Sequence, residues 1–234
     1  MSTPRIEENA LFIADAHYPH HGEAFLTLLQ AVDNGKIQTP QLFLMGDIFD
    51  LLFGHNDYIQ RFSHEAISLL QQLSQKLEIV YLEGNHDFCL TTLFPHISVY
   101  PREQQPVHFK LKNENLYLSH GDKYETKFGF NCYSKVIRSS LTLRLLRPLE
   151  KPIINHRMDK LKRKKICGDF KAYAQRFDAI IRHYPKNSTV VEGHFHQARF
   201  YKNYISLPSL ACQQQIGVVS NGKIRFQKLS ALMV

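Results

Sequence analysis

One pattern recurs five times along the 234 residues and restricts the fold more than any other feature: a short apolar run stops at a cluster of glycine, aspartate, asparagine or histidine. Residues 10–14 (ALFIA) run into Asp15-Ala16-His17, residues 41–45 (QLFLM) into Gly46-Asp47, and residues 78–83 (EIVYLE) into Gly84-Asn85-His86-Asp87. Residues 116–119 then lead into His120-Gly121-Asp122, and residues 189–192 into Gly193-His194-Phe195-His196. Short apolar runs bounded by turn residues predict buried strands. Between the first three, Phe25, Leu28, Leu29 and Val32 repeat at helical spacing, and a long helix is predicted over about 59–77, with Phe62, Ile67, Leu70 and Leu73 on one side. Strand, helix, strand, helix, strand predicts an at least partly parallel sheet. Such sheets bind ligands beyond the carboxyl ends of their strands, so the five polar clusters are expected along one edge. Residues 204–207, 216–219 and 224–229 read as further strands, the last two joined at an Asn221-Gly222 turn. There is no internal repeat and no glycine-rich phosphate loop.

Carboxylates, imidazoles and one amide oxygen form a hard-to-borderline donor set, which suits Mn, Fe or Zn in five- or six-coordinate geometry better than a thiolate zinc site. A glycine beside each cluster lets the backbone turn sharply at the strand end. Each block alone is weak, since Asp15, Asp47 or Asn85 could simply end a strand in an Asx-turn. Five blocks in this order make chance a poor explanation.

The order D-x-H, GD, GNH[DE], H, GHxH resembles the calcineurin-like metallophosphoesterases, and the likeness spans Asp15 to His196. It implies an α/β fold, a β-sandwich flanked by helices, with two divalent metal ions, Mn being the first expectation and Fe or Zn the alternatives. By that likeness Asp15, His17, Asp47 and His196 hold one metal and Asp47, Asn85, His120 and His194 the other, with Asp47 bridging. Two cations about 3.5–4 Å apart clamp a phosphoryl group for in-line attack by water. Asn85 adds a neutral oxygen, which limits the negative charge around the metals. His86, beside a ligand yet assigned to neither metal, is the expected catalytic residue, stabilising charge or protonating the leaving oxygen. Asp50 and Asp87 are read as groups that orient histidines or loops, with plain surface carboxylates the alternative. His20 and His21 are given a surface or loop role, and Cys89 that of a small buried hydrophobe.

Charge locates the substrate side. Segment 123–171 holds 14 basic and four acidic residues, the rest of the chain 15 and 17, so the formal +8 belongs to one stretch that breaks the strand–helix rhythm. It reads as a helical cap inserted within a single domain of residues 1–234. Phe128, Phe130, Val136, Ile137, Leu141, Leu143, Leu145, Leu146, Leu149, Ile153 and Ile154 accompany the basic residues. Basic and aliphatic together suit an anionic amphiphile and the surface of an anionic membrane. The alternative is that these apolar residues pack the cap onto the core. A nucleic-acid surface would favour stacking aromatics over Leu and Ile, and none is expected.

Within the superfamily the chain is most similar to the UDP-2,3-diacylglucosamine pyrophosphohydrolases of lipid A biosynthesis, through FIADAH, GDIFD, SHGD and helices inserted before GHxH. Where those enzymes commonly carry GNRD this chain has Gly84-Asn85-His86-Asp87, and their acidic stretch after HGD is here Lys123-Tyr124-Glu125-Thr126-Lys127. The resemblance implies release of UMP and diacylglucosamine 1-phosphate from a lipid-linked nucleotide, with Asn85, His86, His194, Arg157, Lys162 and Lys165 contacting substrate. The alternatives are a phosphoesterase acting on nucleotides, phosphoprotein or nucleic acid, and a silent scaffold on the same fold.

Cys89, Cys132, Cys167 and Cys212 lie 35 to 45 residues apart with no CxxC pair, so free thiols in a reducing compartment are expected. A polar N-terminus without a signal-peptide pattern, and no apolar run near the roughly 18 residues of a membrane span, place the protein in the cytoplasm, peripheral to the inner membrane.

Overall fold

A computed structural model describes residues 3–54, 56–124 and 150–233. The strands are β1 (Arg5–Ile6), β2 (Leu11–Ile13), β3 (Gln41–Leu44), β4 (Leu52–Phe53), β5 (Glu78–Leu82), β6 (Asp87–Phe88) and β7 (Ser98–Tyr100). They continue with β8 (Val107–Leu111), β9 (Glu114–Ser119), β10 (Ser188–Glu192), β11 (Arg199–Tyr201), β12 (Tyr204–Ser206), β13 (Gln215–Ser220) and β14 (Lys223–Lys228). The helices are α1 (Ala24–Asp33), α2 (Asp57–Gln60), α3 (His64–Leu73), α4 (Glu150–Lys162), α5 (Tyr173–Ile181), α6 (Leu210–Gln213) and α7 (Leu229–Leu232).

Strands β2, β3 and β5 are buried on both faces, and this splits their side chains between two cores. Phe12, Phe43, Val80 and Leu82 point to one side and meet Phe109, Leu116, Leu118 and Val191 of the second sheet. Leu11, Ile13, Leu42, Leu44, Ile79 and Tyr81 point to the other and meet α1 and α3. The sheet orders are β14-β13-β2-β3-β5-β7 and β1-β8-β9-β10-β12-β11. β2, β3, β5 and β7 run parallel, as do β9, β10 and β12. A third core forms where Tyr173, Phe177 and Ile180 of α5 cover Val190 and Tyr204. The result is helix, sheet, sheet, helix, the α/β sandwich expected. At its centre Phe12 stacks on Phe43 at 4.7 Å and Phe109 meets Phe43 edge-on at 5.4 Å; truncating such a ring to alanine costs about 3–5 kcal/mol.

One expectation needs revision, and one alternative can be read in part. The long helix over 59–77 divides into α2, a 3₁₀ turn at Arg61–Ser63 and α3. Buried Ser63 adopts φ −132°, ψ 20°, which interrupts the helical ladder, and Phe62 stays 36% exposed instead of joining the core. In the cap, Ile154, Met158 and Leu161 form one stripe of α4 buried in the same core as α1 and α3, whereas Ile153 is exposed. Of the apolar residues named for this segment, Ile154 therefore packs onto the body, as the alternative reading has it, and Ile153 does not. The remaining apolar residues of the cap, from Phe128 to Leu149, lie outside the described residues. The predicted hairpin forms as written: Ser220 pairs with Lys223, and Asn221 and Gly222 take φ of 56° and 72°, the paired positive angles of a type I′ turn.

Candidate metal centre

The five blocks meet at one edge of the sandwich, and there the backbone does something the sequence reading assigned to glycine. Asp15, His17, Asp47, His194 and His196 themselves adopt left-handed φ of 50°, 47°, 51°, 60° and 53°. For non-glycine residues this costs about 1–2 kcal/mol each and persists only where surrounding contacts impose it. The neighbouring glycine at position 84 supplies room more than rotation: a Cβ there would lie 2.3 Å from Asp47 Oδ1 and 2.4 Å from Asp47 N. Gly46 does both, with φ 85° and a Cβ position 2.4 Å from His120 Nδ1.

The candidate ligands form two clusters. In one, atoms of Asp47, His120 and His194 lie within 4.8 Å of one another. His120 Nδ1 donates to the Met45 carbonyl at 3.0 Å, so its Nε2 presents a lone pair when the ring is neutral. That nitrogen lies 3.2 Å from His194 Nδ1, 3.3 Å from Asn85 Oδ1 and 3.5 Å from Asp47 Oδ2. In the other, Asp15, His17 and His196 converge within the same limit. His196 Nδ1 donates to the Ile166 carbonyl at 3.1 Å, which turns Nε2 toward Asp15 Oδ1, 3.2 Å away. Asp15 Oδ1 and His17 Nδ1 are buried without hydrogen bonds. A buried carboxylate oxygen without a donor is costly unless a cation or proton meets it, while His17 Nδ1 lies on the side of Asp50, 3.8 Å from its Oδ1. The donor set, with its convergent lone pairs, therefore fits divalent metal ions.

Without a cation, the carboxylates and imidazoles of the site neutralise one another. Burial opposes the charged form of Asp47, yet His120 and His86 outweigh it and hold the carboxyl well below its ordinary range. His120 is correspondingly raised well above the ordinary histidine value, burial being overcome by Asp47. Asp15 is lowered and His196 raised by the same mutual attraction working against burial. His17 goes the other way and is pushed down to about 4, chiefly by burial, so it stays neutral and available as a ligand.

Supporting groups complete the site. Asp87 is fully buried and accepts from the backbone N–H of Asp47 (3.0 Å), Ile48 (2.7 Å), Phe49 (3.3 Å) and Gly84 (2.8 Å), and from the Tyr81 hydroxyl (2.6 Å). It fixes the Gly46-Asp47 turn against the Gly84 loop. Asp50, also buried, accepts from His20 N (2.8 Å) and engages the rings of His20 (3.0 Å) and His21 (2.7 Å), so these two histidines are tied to the site's periphery. His86 Nδ1 donates to the Asp50 carbonyl at 2.7 Å, leaving Nε2 4.0 Å from Asp47 Oδ2, and its backbone N–H donates to Asp47 Oδ1 at 2.8 Å. Residues without a motif of their own also contribute. Gln105 accepts from His120 N at 2.7 Å, Arg102 pairs with Asp122 at 2.7 Å, and Ser209 Oγ donates to the Asp15 carbonyl at 2.8 Å.

On the substrate side, half-buried Asn85 and buried His86 line the same cavity as His17, Asp47, His194 and His196. Of the cap residues expected there, Lys165 lines it, joined by Lys164, which the sequence reading did not single out. Arg157 lines an adjoining basic groove with Lys160 and Arg163, and Lys162 is exposed, 4.0 Å from Asp159. Cys167 and Cys212 form a disulfide, which corrects the expectation for these two; Cys89 is a free thiol as expected, though half-buried with φ 56° rather than a core residue, and Cys132 lies outside the described residues. A 45-residue separation hid the pairing from sequence reasoning, because only the fold brings the two together.

The UDP-2,3-diacylglucosamine hydrolase of Photorhabdus laumondii subsp. laumondii is 30% identical over 142 residues, 58% of this chain and 57% of that protein. The enzyme of the same name from Pseudomonas paraeruginosa is 30% identical over 147 residues, 60% of each. Both matches span less than two thirds of the relatives' own length. Among solved structures, a dimetal phosphatase from Danio rerio is similar over 92% of this chain and 93% of its own, at 12% identity and a TM-score of 0.44, too loose a likeness to add to the assignment. The calcineurin-like phosphoesterase family profile matches residues 9–207, which include every candidate ligand, and the chain belongs to that family.

Proposed function

We propose that the protein is a metal-dependent phosphoester hydrolase whose substrate is the pyrophosphate of a UDP-linked diacyl lipid. The observation that carries the reaction is the pair of buried histidine–carboxylate clusters opening into one cavity. When bound, two divalent cations supply Lewis-acid polarisation of the phosphoryl group and a nucleophile at neutral pH. Asp15, His17 and His196 would hold one, and His120, His194 and Asn85 the other, with Asp47 shared; Mn is the first metal to test. His86 then has one role open to it. Its Nδ1 is committed to the Asp50 carbonyl, so Nε2 is the atom that can hydrogen-bond a phosphoryl or leaving oxygen. Lys164 and Lys165 supply cations for the remaining phosphate charge at the mouth of the cavity.

The lipid part of the reading rests on three supports. The excess positive charge is confined to segment 123–171, that segment interleaves it with apolar residues, and the named relatives act on UDP-2,3-diacylglucosamine. No helix among the described residues is long and apolar enough to cross a membrane, so contact with an anionic inner-membrane surface would be peripheral. The test incubates the protein and Mn²⁺ with UDP-2,3-diacylglucosamine, a UDP-sugar without acyl chains, and bis(p-nitrophenyl) phosphate. Turnover of the lipid well above the unacylated compound is expected, with UMP as product. Equal turnover of both would overturn the lipid assignment, and no turnover of any would overturn the reaction.

A further inference from the structure

Between α4 and α5 the chain crosses the mouth of the metal centre as a strap without regular secondary structure, residues 164–170. Its side chains are mostly exposed, yet Lys164, Lys165 and Ile166 line the cavity beside His17, Asp47 and His196. Few hydrogen bonds reach it from the body of the protein. His21 Nε2 meets the Lys164 carbonyl at 3.2 Å, and His196 Nδ1 the Ile166 carbonyl at 3.1 Å. Gln197 donates to the Gly168 carbonyl at 3.3 Å and accepts from Phe170 N at 3.2 Å. Phe170 packs against Phe177 and Phe195 at the α5 end, with centroids 6.4 Å and 5.4 Å apart, while Lys164, Lys165, Cys167, Gly168 and Asp169 are exposed.

A further fastening is covalent. Exposed Cys167 is joined to Cys212 across a Cα–Cα distance of 5.5 Å. Cys212 belongs to α6, an element fixed to the metal centre: Leu210 N and Ala211 N donate to the carbonyls of Ala14 and Asp15 at 2.9 Å and 3.2 Å. Ser209 accepts from Cys212 N at 3.2 Å while donating to the Asp15 carbonyl at 2.8 Å. The Cys212 sulfur also lies 3.6 Å from His196 Nδ1. The disulfide thus ties the strap to the backbone of one candidate ligand and runs alongside the ring of another.

We propose that Cys167–Cys212 is a thiol-controlled clasp: oxidised, it holds the strap so that the Ile166 carbonyl orients His196 and Lys164 and Lys165 face an anionic substrate; reduced, it releases both. A dithiol is the reductant class required. One of its thiolates attacks the exposed Cys167 sulfur, forming a mixed disulfide and expelling the Cys212 thiolate, which takes up a proton. The second thiol of the reductant then closes on the first, releasing the Cys167 thiol. Two electrons and two protons pass to the protein, and the reductant leaves as its own disulfide. Cys212 and Cys167 act here as positioning residues, because neither lines the cavity.

The substrate arm of this proposal rests on the phosphoester reading above; the strap arm does not. The experiment compares oxidised, dithiol-treated and Cys167→Ser protein, each loaded with Mn²⁺. Peptide mapping of the oxidised protein should show residues 167 and 212 cross-linked. Reduction or Cys167→Ser should speed tryptic cleavage after Arg163, Lys164 and Lys165 at least fivefold and speed chelator removal of one metal equivalent about tenfold. Either change should raise KM for UDP-2,3-diacylglucosamine several-fold. Re-oxidation should reverse all three effects in the unaltered protein and none in Cys167→Ser. An oxidised protein without the cross-link, or equal cleavage and metal release in both redox states, overturns the clasp. If no phosphoester is hydrolysed by any form while cleavage and metal release still differ, the clasp stands and the phosphoester reading falls.

Discussion

The cluster of Asp47, His120 and His194 is braced from beneath by the sandwich, whereas that of Asp15, His17 and His196 is braced partly from above by the strap. His120 leans on the Met45 carbonyl at the end of β3, and Asp47 sits in a loop nailed by Asp87. His196 leans instead on the Ile166 carbonyl of an exposed segment, and His17 faces Asp50, whose other partners are two surface-loop histidines. The difference teaches that one candidate cluster is founded on the core alone, while the other, with Asp15 held by Gly46 and Ser209, also leans on a segment rich in basic residues. A site built this way can keep one ligand set invariant and vary the other with the substrate.

The largest expected consequence concerns stability. Asp87→Ala leaves four backbone donors and the Tyr81 hydroxyl unpaired in the interior, so unfolding in urea should show a loss of about 4–5 kcal/mol. Asp50→Ala, on the strap side, should lose about 2 kcal/mol; comparable losses would erase the distinction between the two foundations.

Next in size is a pH effect in the chelated protein. His17 is held at about 4 in the folded chain against 6.5 unfolded, so the unfolded state gains the proton first. Stability should fall by about 3 kcal/mol as pH drops from 6.5 to 4, and His17→Asn should lack that acid limb. His120 and His196 have raised values, so their contribution is complete below 6.5 and fades as pH rises through the raised range. Urea midpoints across pH separate the two limbs, and an acid limb unchanged in His17→Asn would refute the assignment.

His86→Ala should lower turnover about 10²-fold with metal content unchanged, because the ring lines the cavity without joining either cluster. Metal analysis beside kinetics decides this, and loss of a metal equivalent would make His86 a ligand. The smallest effect expected is kinetic: during chelation of the oxidised, Mn²⁺-loaded protein one equivalent should leave about tenfold faster than the other. Simultaneous release would mean that the two clusters are equally well founded.

Much of this was legible in the residue order. The ends of β2, β3, β5, β9 and β10 carry the five polar blocks, and short apolar runs bounded by turn residues located those strands to within a residue or two. What escaped was whatever depends on chain segments distant in sequence. Gln105 and Arg102 belong to no motif, yet they fix His120 and Asp122 because β7 and the turn after it pack beside β9's end. Ile166 acts through its carbonyl, which no side-chain pattern records. The helix break at Ser63 and the burial of Ile154 reflect tertiary packing that overrides a locally plausible amphipathic period.

The five left-handed residues carry a consequence for how such a chain can change. At positions 15, 17, 47, 194 and 196 an asparagine or glycine would relax the backbone, and selection for stability alone would drift toward them. Aspartate and histidine at all five therefore mark a scaffold kept short of its stability optimum by what the site has to hold. His194→Gly should accordingly tolerate more urea in the chelated state while losing an imidazole from the cavity, a trade in which robustness and chemistry are exchanged at a single residue.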